Sequence, residues 1–335
     1  MNDKFISLAH GSGSAQTNQL INDIFKKHFD NPLLTADDAA VFNLSGGRHA
    51  FTTDGFIVSP YEFNGGNIGK LSVCGTVNDL ACMGAKPLYM TCSFVIEEGF
   101  ETSKLDEIAK AMGDTAKEVG VNIVAGDTKV AGKGQVDNVF ITTSAIGEIK
   151  EGVNLSGAYA KAGDAVIVSG DIGRHGCCIL LERNEFGMDA EVKSDCAPLW
   201  NAIDTLLTEE KDVHVIRDAT RGGVGTVLYE IANQSNVGIS VNRQAIPLQD
   251  PVKGVCGMLG LEPMYLACEG TVVIFAPKEK AENIVNILRK CKYCENTAII
   301  GEVTKENPTM VITQTEIGTQ TILPRPGGEL LPRIC

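Results

Sequence analysis

Ile68-Gly69-Lys70-Leu71-Ser72-Val73-Cys74-Gly75-Thr76-Val77-Asn78-Asp79-Leu80-Ala81-Cys82-Met83 is apolar at almost every turn, yet it carries an amide and a carboxylate in its last third. Leu71, Val73, Val77, Leu80 and Ala81 leave no broad polar face, so the pattern predicts a helix buried all round. A carboxylate in such a helix is costly without a partner. Asn78 and Asp79 therefore either bind a cation or turn aside to cap a neighbour or meet solvent. The helix is entered through Gly65-Gly66-Asn67, with Lys70 one turn later. Backbone N–H groups at such an entry can hold a phosphate, and a plain loop-to-helix turn is the alternative.

Working outward, residues 16–29 read as a helix with Leu20, Ile21, Ile24 and Phe25 on one face, and 50–58 as a strand. Strands follow at 88–96, 121–125 and 139–149, with a helix at 104–119. Residues 151–163 read as a linker, after which the pattern restarts. Strands are expected at 165–169, 213–216, 266–275, 299–303, 309–313 and 319–323, and helices at 197–207, 224–234 and 278–290. Mixed strands and helices in two blocks predict an α+β protein of two domains, 1–150 and 151–322, followed by a tail, 323–335.

The chain has 335 residues and a formal net charge of -13. It has no Lys/Arg cluster, which argues against a nucleic-acid partner. No apolar run is long enough to span a membrane, and the N-terminus lacks a signal-peptide core, so a cytoplasmic protein is expected. The 11 cysteines are then mostly reduced. Cys74, Cys92 and Cys268 sit in apolar runs and read as packing residues. Cys291 and Cys294 are spaced as half a zinc site or a redox pair, and the sequence leaves both open. The final residue is also a cysteine, in Leu330-Leu331-Pro332-Arg333-Ile334-Cys335. Pro324, Pro326, Pro332, Gly327 and Gly328 predict an extended, mobile tail whose thiol can enter a pocket and leave it.

Four acidic motifs stand where strands end or helices begin, Asp37-Asp38, Thr53-Asp54, Gly126-Asp127-Thr128-Lys129 and Asp218-Ala219-Thr220-Arg221-Gly222-Gly223, and a fifth, Asn78-Asp79, lies inside the apolar helix. Any one of them is ordinary turn or cap chemistry. Five together, most of them with glycine or threonine close by, suit Mg²⁺, which keeps its waters and also takes phosphate oxygens. There is no GxxxxGK[ST] loop, and none of the five histidines has the spacing of a zinc site or a Cys–His pair.

With Ala9-His10-Gly11-Ser12-Gly13 and Glu269-Gly270, these motifs resemble the ATP-binding superfamily of aminoimidazole ribonucleotide synthetase and selenophosphate synthetase. The ending Pro332-Arg333-Ile334-Cys335 is similar to one branch, the HypE family of hydrogenase-maturation carbamoyl dehydratases. The resemblance runs from residue 9 to residue 335. It implies a PurM-like fold, a homodimer formed by the N-terminal domains, and ATP with Mg²⁺ as cofactors. It also implies two partners, a HypF-type carbamoyltransferase that loads the C-terminal thiol and a HypC/HypD-type iron scaffold complex that accepts the cyanide.

By that resemblance Cys335 carries the substrate, Glu269 is the base, Lys129 contacts the carbamoyl oxygen or the transferred phosphate, and Arg333 guides the tail or favours the thiolate. Asp38, Asp54, Asp79, Asp127 and Asp218 bind the nucleotide, with Gly66, Asn67 and Lys70 at the helix entry. Asp37, Asp38, Asp54, Asn78, Asp79 and Asp127 are the metal candidates. The competing functions are a small-molecule kinase or synthetase of the same superfamily, and an ATP-binding scaffold without turnover.

Overall fold

The computed structural model describes residues 4–11, 15–33, 43–44, 46–184, 186–315 and 318–325. Asp37, Asp38, Arg333 and Cys335 therefore lie outside the described residues.

In the first half, helical residues α1 (Ala15–Leu20) continue through a π-type turn into α2 (Lys27–Phe29). There follow β1 (His49–Phe56), the short β2 (Glu62–Phe63) and β3 (Gly66–Asn67), α3 (Ile68–Cys82), β4 (Ala85–Glu97), α4 (Thr102–Val119), β5 (Asn122–Ala131) and β6 (Val139–Ile149). Strands β1-β6-β4-β5 form one sheet, antiparallel except for the β4–β5 pair. α3 and α4 cover one face of it. On the uncovered face Phe51, Ile146 and Tyr89 share a cross-strand row, and Phe51 is 73% exposed.

The second half contains β7 (Asp164–Val168), α5 (Arg174–Glu182), α6 (Trp200–Glu209), β8 (Val215–Asp218), α7 (Gly223–Gln234), β9 (Gly238–Asn242), α8 (Asp250–Leu259), β10 (Val272–Pro277), α9 (Lys278–Leu288), β11 (Ala298–Thr304), β12 (Val311–Gln314) and β13 (Gln320–Ile322). Seven of these pair as β13-β12-β9-β11-β7-β10-β8.

α3 joins the halves. It packs against β1, β6 and α4 on one side and against α6 and β8 on the other. This double contact is why it has no polar face. Its approach to α4 depends on glycine, because a Cβ on Gly69 would lie 2.3 Å from the Ile108 carbonyl oxygen.

Several elements differ from expectation. The strand expected to begin at 266 begins at Val272. Ahead of it the Asp195 carboxylate takes the N–H groups of Glu269 and Gly270 and the Thr271 hydroxyl, at 3.1–3.2 Å, so these donors are withdrawn from any ladder. Asp54 and Asp127 lie inside strands rather than at strand ends. Helices α5 and α8 and strand β9 were not anticipated. α8 carries a legible signature, with Pro251 in its first turn and left-handed Gly260 closing it.

Gly69→Ala is expected to lower stability by about 1–3 kcal/mol through overpacking at the α3–α4 contact. Urea unfolding measures this, and an unchanged midpoint would show that the two helices can move apart.

Candidate active site

The acidic residues that the structure gathers come from four elements. β1 supplies Asp54, α3 supplies Asp79, the end of β8 supplies Asp218, and the loop before β10 supplies Glu269. All four line one cleft, with Gly55, Leu71, Gly75, His175, Thr220 and Arg221.

Neighbouring hydroxyls orient each aspartate. Thr76 Oγ1 donates to Asp54 at 3.1 Å, Thr52 Oγ1 to Asp79 at 2.8 Å, and Thr220 Oγ1 to Asp218 at 2.8 Å. These contacts require period-two alternation on β1, where Thr52 and Asp54 both face α3. Arg217 pairs with Asp218 at 3.4 Å.

Crowding of like charges sets the electrostatics. Burial, then the charges of Asp218 and Asp54, push the Asp79 carboxyl up to about 7. Burial and Asp218 raise Asp54, against the lowering effect of its bond from Thr76. Burial, with Cys196, Asp195, Asp218 and Asp54 nearby, raises Glu269 well above the usual carboxylate range. Among the described residues no three His, Cys, Asp or Glu side chains converge closely enough to hold an ion by themselves. Two or three carboxylates in a repulsive cleft do fit Mg²⁺ that completes its shell with phosphate and water.

Asn78 was expected among the metal ligands and does something else. It is 3% exposed, and both ends of its amide are used. Nδ2 donates to the carbonyls of Ala197 at 3.0 Å and Glu269 at 3.4 Å, and Oδ1 accepts from the Leu199 N–H at 2.8 Å. Asn78 thus ties α3 to the second half beside Glu269.

Gly66, Asn67 and Lys70 do not line the acidic cleft. Asn67 caps its own helix, accepting from the Lys70 N–H at 3.0 Å, and Lys70 Nζ donates to the Gly65 carbonyl at 3.1 Å. Lys70 opens instead on a neighbouring cavity with Asp171, Arg174, Lys193 and Asp195.

Asp127 and Lys129 are also elsewhere. They pair with each other at 3.0 Å on the edge strand β5, with side chains 58% and 66% exposed. Asp127 stands across from Ser93, then Thr142, then Gly55. Three strand spacings separate it from β1 by about 14 Å, and it lies on the opposite face of the sheet from α3. Cys291 and Cys294 form no metal cluster with other described residues. The ten described cysteines are free, and Cys291 Sγ donates to the Ile287 carbonyl at 3.5 Å.

Two features escaped sequence reading. His175 reaches the cleft from α5, an element that was not anticipated. The root of the tail is clamped, the Tyr229 hydroxyl donating to the Leu323 carbonyl and the Tyr265 hydroxyl to that of Pro324. Arg325 lies 5.2 Å from the Tyr229 ring centroid.

A two-domain α+β molecule with an acidic cleft between its halves suits phosphate chemistry with a divalent cation, and comparison with known proteins makes the class specific. The models for the AIR synthase related protein, N-terminal domain and C-terminal domain, match residues 36–149 and 161–313. Carbamoyl dehydratase HypE of Rhizobium leguminosarum bv. viciae is 42% identical, the match covering 98% of this chain and 95% of that one. A crystal structure of hydrogenase maturation protein HypE in complex with ATP superposes with a TM-score of 0.94 at 42% identity, covering 98% and 99% of the two chains. The HypE chain of a HypE–HypF complex superposes at 0.81 with 46% identity, covering 92% and 99%. The chain belongs to the AIR synthase related family and, within it, to the HypE carbamoyl dehydratases.

Asp79 binds its proton more tightly in the folded chain, at about 7, than at its ordinary value of 3.8. The folded state therefore holds more protons between those values, and without nucleotide its stability falls as pH rises from about 4 to about 7. At pH 8 Asp79→Asn is expected to stabilise the unliganded chain by at least about 1 kcal/mol while weakening ATP·Mg²⁺ binding. Paired melts at pH 5 and pH 8 check the first effect and titration calorimetry the second. A destabilised variant at pH 8 would contradict the charge crowding.

Proposed function

We propose that this chain uses ATP to dehydrate an S-carbamoyl group on Cys335 to a thiocyanate, supplying cyanide for maturation of a NiFe-hydrogenase iron centre. The observation that carries the reading is Glu269. It is buried at the junction of the halves, in the same cleft as three aspartates suited to ATP·Mg²⁺.

The chemistry needs such a site. An amide oxygen is a poor leaving group. When it attacks the γ-phosphorus an O–P bond forms, the bridging P–O bond breaks and ADP leaves. One N–H proton is lost as the imidate phosphate forms. Loss of the second lets the nitrogen electrons close C≡N while the C–O bond breaks and phosphate departs. Glu269 is suited to take these protons, because a carboxylate of raised pKa is the stronger base once ionised. Asp54, Asp79 and Asp218 would hold Mg²⁺ directly or through water, and the ion would supply positive charge against the triphosphate.

Cys335 can reach this cleft. Tyr265, which clamps the tail root, is four residues from Glu269, so their Cα atoms are at most about 15 Å apart, whereas ten residues from Pro326 to Cys335 extend to about 33–36 Å. The same reach suits hand-off to a HypF-type carbamoyltransferase and a HypC/HypD-type acceptor. The HypE–HypF complex among its relatives supports the first.

We read residues 1–150 as the nucleotide-binding and dimerising unit, 151–322 as the second domain and 323–335 as the substrate arm. Homodimerisation through the open sheet face covers Phe51, Ile146 and Tyr89. It also gives Asp127 and Lys129, remote from their own cleft, a role in the partner's. We read the chain as cytoplasmic, and the free state of its ten described cysteines supports that reading.

Intact mass tests the reaction. With carbamoyltransferase, carbamoyl phosphate and ATP·Mg²⁺, the chain is expected to gain one carbamoyl group and then lose one water. Cys335→Ala should do neither, and Glu269→Gln should stop at the carbamoyl stage. Carbamoylation that persists in ATP leaves a scaffold, and ATP turnover unaffected by Cys335→Ala leaves a small-molecule kinase. A role for Lys129 in the partner's site predicts that mixing Lys129→Ala with Glu269→Gln chains restores activity toward about a quarter of wild type, as expected if subunits exchange at random and pair as a two-fold dimer. No recovery after verified exchange would confine Lys129 to its own subunit.

A further inference from the structure

His175 is the second residue of α5 and is completely buried, at 0% exposure. It lines the acidic cleft that Glu269 also lines. Its ring meets Phe63 edge to face, with centroids 5.2 Å apart at 85°. Nδ1 lies 2.9 Å from Ser194 Oγ, and that oxygen already accepts from the Cys196 N–H at 3.0 Å. Nδ1 is the remaining partner for the serine hydroxyl proton, so serine donates to Nδ1 and the ring carries its own proton on Nε2. Among the described residues Nε2 has no hydrogen-bond partner. Burial keeps the ring neutral, pushing its pKa down to about 3. The His175 ring that lines the cleft therefore carries a neutral N–H donor with no acceptor among the described residues.

A planar carbamoyl group presents N–H donors on one side and a carbonyl oxygen on the other. Glu269 answers the first. We propose that His175 answers the second: its Nε2–H holds the carbamoyl oxygen of the S-carbamoyl substrate while that oxygen attacks the γ-phosphorus. This rests on the dehydratase reading above. The oxygen has two lone pairs, so one accepts from His175 and the other forms the O–P bond. His175 keeps its proton throughout. A neutral donor leaves the oxygen nucleophilic, where an imidazolium would draw off its electrons. When the C–O bond breaks and phosphate takes the electron pair, charge gathers on the oxygen His175 faces, and the hydrogen bond strengthens at that moment.

The test uses the full-length protein with carbamoyltransferase, carbamoyl phosphate and ATP·Mg²⁺. Loss of water is followed by intact mass, and nucleotide affinity by calorimetry. His175→Leu is expected to slow dehydration about 100-fold at saturating ATP, with nucleotide affinity within about two-fold of wild type and S-carbamoylation still occurring. His175→Gln places an amide N–H near the Nε2 position and should recover at least about ten-fold of that loss. If His175→Leu fails to fold, Ser194→Ala, which releases the tautomer without opening a large cavity, should slow dehydration about ten-fold. Wild-type rates in the folded variants, a loss that tracks weakened nucleotide binding, or His175→Gln falling as far as His175→Leu at equal melting temperature would each overturn the assignment. If wild type itself retains the carbamoyl group in ATP, the dehydratase reading falls, and this assignment with it.

Discussion

The amide of Asn78 is the hinge on which the site's geometry turns. It comes from the most buried helix of the first half, and its three hydrogen bonds go to backbone of the second, at Ala197, Leu199 and Glu269. An apolar side chain could fill the space but would leave those groups unpaired in a dry interface, which is costly. Because Asn78 and Asp79 are adjacent in α3, the bond that seats Glu269 is one residue from the carboxylate suited to the metal. The positions of Glu269 and Asp79 in the cleft are thus set by one turn of helix.

The cleft stores electrostatic tension in its unliganded form. Asp54, Asp79, Asp218 and Glu269 share a low-dielectric space, and hydroxyls bond all three aspartates, with Arg217 beside Asp218 as well. Such a site has little reason to exist for folding. Bound Mg²⁺ would reverse the sign of the local field, favouring ionised Asp54 and Asp79 and making Glu269 available as a base. Glu269 is shielded by backbone held by Asp195, whose carboxylate is fully occupied by the 269–271 loop.

Two surfaces point beyond the single chain. The uncovered sheet face carries an apolar row between open edge strands, an arrangement that proteins usually cover. The clamped root at Leu323 and Pro324 places the start of the tail beside the short turn Pro263–Tyr265, which leads into the loop bearing Glu269.

The sequence alone determined the α+β class, the buried helix at 68–83, and the family membership suggested by its acidic motifs and its ending. These depend on local periodicity and on residue types side by side in the chain. It did not separate Asn78, a structural tie, from Asp79, a ligand candidate, because the two are neighbours in sequence and differ only in what packs against them. It placed Gly66, Asn67, Lys70, Asp127 and Lys129 with the acidic residues, since motif spacing carries no information about which face of a sheet or which cavity a side chain enters. It passed over His175, whose meaning lies in a missing partner. Only tertiary structure decided these points, because burial, unsatisfied hydrogen bonds and the crowding of charges from β1, α3, β8 and the 269–271 loop arise when distant segments share one dry space.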